Sequence, residues 1–93
     1  MVLAVITIRL YASWVHSLKE KRMVVKSLLS KLSAKFNISV AEAADQELHQ
    51  SIVLMIAGLA ADNAQADSIL ENIQSFIELS TDAQILSVER EIR

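Results

Sequence analysis

Lys19, Arg22 and Lys26 recur at i, i+3 and i+7, a spacing that places them on one stripe of a helix. Cations in line at that interval match the way a helix can follow a phosphate backbone, which makes them the candidate nucleic-acid or anion contacts. They belong to a wider basic run. Between Ser17 and Lys35 stand Lys19, Lys21, Arg22, Lys26, Lys31 and Lys35 against a single acid, Glu20, although the whole chain carries a net charge of −2. Such asymmetry marks either an anion-binding face or a solvated helix.

Elsewhere the residues that could do chemistry are scattered. His16, His49, Glu42, Asp45 and Glu47 are the candidates for metal or acid–base work, but the acids lack His-x-x-x-His or Asp-x-Asp spacing and read as a solvated loop. No catalytic or cofactor motif is present, so a non-enzymatic protein without a cofactor is expected. The loop Ala12–His16 leads into a helix N-terminus where free N–H groups, Ser17 and Lys19 could hold an anion. Acylphosphatases bind phosphate in the corresponding loop, but theirs is glycine-rich and this one has no glycine, which argues against a phosphate-handling enzyme. Trp14, the only tryptophan, either packs over a core edge or anchors a partner. The expected central strands hold aliphatic residues where single-stranded RNA readers carry aromatic platforms, so an RNA contact would read backbone or shape.

The elements that must position these residues follow from hydrophobic periodicity. Val2 to Tyr11 is dense in β-branched residues and reads as strand one. Ser17 with Glu20 three residues later is a capping box that starts helix one, on which Leu18, Val25, Leu28, Leu29, Leu32 and Phe36 form an apolar stripe. The helix ends near Phe36, where Asn37 can adopt a left-handed terminal conformation, and Ile38 to Glu42 alternates as an edge strand two. After a polar break at Asp45, Gln46 and Glu47, strand three runs from Ser51 to Ala61. Asp62 and Gln65 repeat the capping logic for helix two, with Ala66, Ile69, Leu70, Ile73, Phe76 and Ile77 at helical spacing. A turn at Ser80–Asp82 leads to strand four, Gln84 to Glu91, with Ile85, Ser87 and Glu89 opposite Leu86, Val88 and Arg90. Gly58 marks a bulge or a close backbone approach in strand three.

This order is βαββαβ. Two right-handed crossovers joined by a hairpin predict a ferredoxin-like α+β sandwich in one domain over residues 1–93, with an antiparallel sheet of order 4-1-3-2 and both helices on one face. The central strands are apolar on both sides. Val2, Ala4, Ile6, Ile8 and Leu10 can face the helices, which leaves Leu3 and Val5 on the other face with Val53 and Met55 of strand three. Two helices cover one face only, so Leu3, Val5, Val53 and Met55 form a candidate interface and a homo-oligomer, a dimer first, is expected through the sheet. That same face together with Trp14 could instead serve a different protein partner.

At 93 residues with 53% hydrophobic content, one core is expected. The longest apolar run, Ile52 to Ala61, is about half the ~20 residues needed to span a bilayer, so no membrane association is expected. The apolar start, Met1 to Ile8, lacks the basic region and cleavage site of a leader and reads as a buried strand. The absence of cysteine agrees with a reducing compartment, and cytoplasm is the default expectation.

The segments His16-Ser17-Leu18-Lys19-Glu20-Lys21-Arg22, Val24-Val25-Lys26-Ser27-Leu28 and Lys35 to Glu42 resemble the YlxP-like family, a bacterial domain of unknown function. Asp45-Gln46 before strand three and Val88-Glu89-Arg90-Glu91 at the end extend the resemblance along nearly the whole chain. It implies a ferredoxin-like fold and an uncharacterised cytoplasmic protein, often encoded beside translation and ribosome-maturation factors. RNA or the ribosome is therefore the leading candidate partner, while any small-molecule ligand is left open.

Overall fold

β-Branched and aliphatic residues that alternate about a pleat supply the four strands, and the two capped amphipathic segments between them supply the helices. A computed structural model describes all residues, Met1–Arg93. In chain order the elements are β1 (Val2–Tyr11), α1 (Leu18–Lys35), β2 (Ser39–Ala44), β3 (Ser51–Ala60), α2 (Asn63–Ser80) and β4 (Gln84–Ile92). The sheet order is β2-β3-β1-β4, antiparallel at every pairing, and the fold is the ferredoxin-like βαββαβ sandwich.

Both helix starts are fixed by the expected caps. Ser17 Oγ accepts from the Glu20 N–H at 3.1 Å, and Asp62 Oδ1 accepts from the Gln65 N–H at 2.8 Å. The reciprocal half of each box departs from the cap's own N–H. Gln65 Oε1 takes the N–H of Ala61 at 2.5 Å, and the Glu20 carboxylate meets the Ser17 hydroxyl at 3.5 Å. At the far ends of the two stripes, Phe36 and Phe76 meet edge to face with ring centroids 5.6 Å apart.

The core lies between the helices and one face of the sheet. Register sets Ala4, Ile6, Ile8 and Leu10 of β1 opposite Gly58, Ile56, Leu54 and Ile52 of β3. Val25, Leu28 and Leu32 from α1 and Ala66, Leu70, Ile73 and Ile77 from α2 close over them. Burying each large aliphatic side chain contributes roughly 1.5–3 kcal/mol, so this layer is the main source of stability.

Three details differ from expectation or resolve it. Strand β2 reaches Ala44 rather than Glu42, because an irregularity between Glu42 and Ala44 inserts one residue and carries the pairing further. In β4 the pairing steps from Arg9↔Ser87 to Leu10↔Ile85, so Leu86 is an extra residue. Ile85 and Val88 therefore share the helix-facing side instead of opposing each other, and Leu86 is exposed. At Gly58 the pairing with Ala4 is unbroken, so the residue serves close approach and not a bulge: a Cβ there would lie 2.9 Å from Ile38 Cγ2.

Candidate functional site

Helix α1 divides its charges between two environments. Lys19, Arg22 and Lys26 are exposed on the outward side, and none of them is among the ion pairs, which use Arg9, Lys21, Arg90 and Arg93. Lys21 is the opposite case. Its relative exposure is 0%, and it is the one charged side chain buried in the protein. Lys21 therefore does not belong with the solvated cations of the basic run: Lys21, Val25, Leu28 and Leu32 are the buried residues of α1, and Lys21 fills the gap in the apolar stripe.

A buried ammonium requires a counter-charge and acceptors. Glu42 supplies the charge. Its neighbour across the sheet is Leu54, just as that of Val40 is Ile56, so both β2 side chains point to the helix layer. Glu42 Oε2 stands 2.7 Å from Lys21 Nζ, within ion-pair distance but off hydrogen-bond alignment, and has no other partner. The Asp45 carbonyl supplies the acceptor, taking hydrogen bonds from Lys21 Nζ and from the Leu48 N–H. Asp45 has a left-handed backbone, φ 58°, a conformation that aspartate tolerates better than most residues. This placement turns its carboxylate toward β1, where Oδ2 accepts from Arg9 Nη1 at 2.6 Å and from Ser51 Oγ at 2.7 Å.

A continuous chain of polar contacts thus runs from α1 through the β2–β3 turn to Arg9 on β1. The hydrogen bond from Ser51, then that from Arg9, holds the Asp45 carboxyl below the ordinary aspartate range, against a smaller opposing effect of desolvation. Glu42 and Asp45 are accordingly structural charges, in place of the solvated loop expected from their sequence spacing. Glu47 remains exposed.

The face of the sheet away from the helices carries all four candidate interface residues. Leu3 pairs with Leu59, Val5 with Ala57, Thr7 with Met55 and Arg9 with Val53. Val5 and Val53 are already packed by their neighbours, at 4% and 5% exposure, so the exposed apolar surface is carried by Met55 and Leu59, at 41% and 65%. Glu89 and Glu91 border this patch on β4.

Trp14 lies elsewhere, at the end of the molecule where the β1–α1 loop meets both helices. It is 42% exposed and lines a groove of about 330 Å³ with Met23 and Ser27 of α1 and with Ser80, Thr81 and Asp82. A second, larger cavity of about 590 Å³ is lined by Tyr11, His16, Glu47 and His49 among others. Its histidines do not join acids in a group of three placed to hold a metal ion. No helix is long and apolar enough to cross a membrane.

This geometry defines a ferredoxin-like sandwich with a charged helix face and an uncovered sheet, and sequence comparison places it more closely. The chain belongs to the family described as protein of unknown function (DUF503), whose model matches residues 3–90. It is 36% identical over 62 residues to the uncharacterized protein YlxP of Bacillus subtilis (strain 168), a stretch covering 67% of each chain. Among solved structures, the de novo designed protein Foldit4 matches at 18% identity and a TM-score of 0.49, over 99% of this chain and 94% of that one.

Proposed function

We propose that this chain is a non-catalytic accessory protein that binds the phosphate backbone of RNA, ribosomal RNA included, through the outward face of α1. The observation that carries this reading is the contrast within α1. Lys21 is withdrawn and neutralised by Glu42, whereas Lys19, Arg22 and Lys26 are exposed and unpaired on one stripe. Unpaired cations in line release condensed counterions when they meet phosphates, which gives affinity without base reading. Fluorescence anisotropy with labelled RNA across a salt series tests it. Replacing all three with glutamine should flatten the salt slope by about two units, from about 0.7 per phosphate contact on a single strand. Equal affinity in the wild type and the triple variant would contradict the reading.

Self-association through the open sheet face is a second element of the proposal, favoured by the exposure of Met55 and Leu59 beside Leu3. A two-fold arrangement would bring the same patch of two copies together. Leu59→Lys is the cleaner probe than a change at Val5, because Leu59 is exposed in the isolated chain and a lysine there leaves the fold intact. Sedimentation should show a concentration-dependent dimer for the wild type and a monomer for Leu59→Lys. A wild type that stays monomeric at high concentration would remove this element.

A further inference from the structure

We infer that the Trp14 groove receives a nucleobase of single-stranded RNA whose phosphates run along Lys19, Arg22 and Lys26. The inference deepens the proposed reading of α1 as a phosphate-contacting helix and rests on it. The central strands carry a single aromatic residue, Tyr11 at the end of β1, and a second aromatic side chain, Trp14, stands beside the cations. Met23 lines the groove with Trp14, and Lys19 and Lys26 lie one helical turn on either side of Met23, at i−4 and i+3. Met23 itself is 65% exposed, so the groove opens onto the surface that carries the charges.

The lining suits a base better than a phosphate. Its apolar lining includes Val24 and Leu28, and the indole of Trp14, 42% exposed, offers an aromatic surface on which any base can stack. Its rim carries acceptors: the Ser27 hydroxyl, the Asp82 carboxylate and the carbonyl end of α2 at Ser80. The Asp82 carboxylate and the Ser80 carbonyl, which only accept, match the N–H groups on a base edge and disfavour a phosphate, while the Ser27 hydroxyl can accept or donate. Lys31 Nζ stands 3.5 Å from the Ser80 carbonyl and moderates the negative end of α2 on the side facing α1. Charge complementarity thus separates the two parts of a nucleotide, with phosphate on the α1 stripe and base in the groove.

Because Trp14 is the only tryptophan, intrinsic fluorescence reads this site alone. Titrating the full chain with a single-stranded oligonucleotide should quench the emission over the same concentrations that raise anisotropy. A duplex of the same sequence, which offers the phosphates but hides the base faces, should bind without that quenching. Trp14→Leu should weaken single-strand binding on the order of tenfold and leave its salt slope unchanged, while Trp14→Phe, which keeps an aromatic face, should retain more affinity than Trp14→Leu. Anisotropy that depends on Lys19, Arg22 and Lys26 but leaves Trp14 emission and the Trp14→Leu affinity unchanged would overturn the stacking site and leave the α1 reading intact. No RNA binding at low salt would overturn both. Emission that shifts with protein concentration alone would assign the groove to a second copy and overturn the proposal.

Discussion

The two helices have the same length and lie on the same sheet, yet they are built on different plans. In α2 the inward residues Ala66, Leu70, Ile73 and Ile77 are all apolar, and the outward ones include Asp67, Glu71 and Glu78. It is a conventional amphipathic cover, held also by Arg90 of β4, which reaches Glu71 at 3.0 Å and Gln74 at 2.5 Å. In α1 a lysine interrupts the inward stripe, and the outward face is basic. The difference teaches how one sheet can carry two kinds of cover: α2 secures the core through packing alone, while α1 combines a charge-locked seat with an exposed row of cations.

The largest effects should come from the inward faces. Lys21→Met leaves the partly buried Glu42 without its counter-charge and should destabilise the fold by about 3–5 kcal/mol, measured by urea denaturation. Adding Glu42→Leu should recover most of that loss, since an apolar pair commonly replaces a buried ion pair without penalty. In α2, Ile73→Ala should cost about 2–5 kcal/mol through its cavity, and no change on the sheet opposite should rescue it without refilling the volume. If Lys21→Met were as stable as wild type, the distinction between the two helices would collapse.

A smaller effect concerns acid stability. The Asp45 carboxyl titrates below its unfolded value, so its contribution to stability is fully present above the unfolded pKa and is lost as pH falls through the lower, folded one. Asp45→Asn removes that contribution. The variant should be less stable than wild type at neutral pH, and the gap should narrow on acidification through that window. Thermal melts between neutral pH and strongly acidic conditions check this. A gap that stays constant with pH would show that the Arg9 and Ser51 contacts do not act through the ionised carboxylate.

The contrast also explains what was legible in the sequence. The period of α2 is uninterrupted, so its face was readable from spacing alone. In α1 the residue type misleads: lysine is almost never fully buried without a partner, so Lys21 reads as one more solvated cation. Two signals pointed the other way. Lys21 falls in the series Leu18, Lys21, Val25, Leu28, Leu32, and Glu42 shares strand parity with Val40. Together they place opposite charges on facing layers. The role of Asp45 was less accessible, because it depends on a bulge at Ala43 and a left-handed turn that register, not local composition, imposes. Ile85 and Val88 read as opposed for the same reason, since the inserted Leu86 changes parity within the strand. The Trp14 groove joins a loop to the ends of two helices distant in sequence, and no local pattern encodes it.

The most direct test of α1 as the binding helix is chemical-shift mapping of the isotope-labelled protein titrated with single-stranded RNA. The account predicts perturbed amides at Lys19, Arg22, Met23 and Lys26 together with the Trp14 indole, while Asp67, Glu71 and Glu78 on the outer face of α2 stay unmoved. Perturbations confined to α2 or to the sheet face around Met55 and Leu59, or none at low salt, would contradict it.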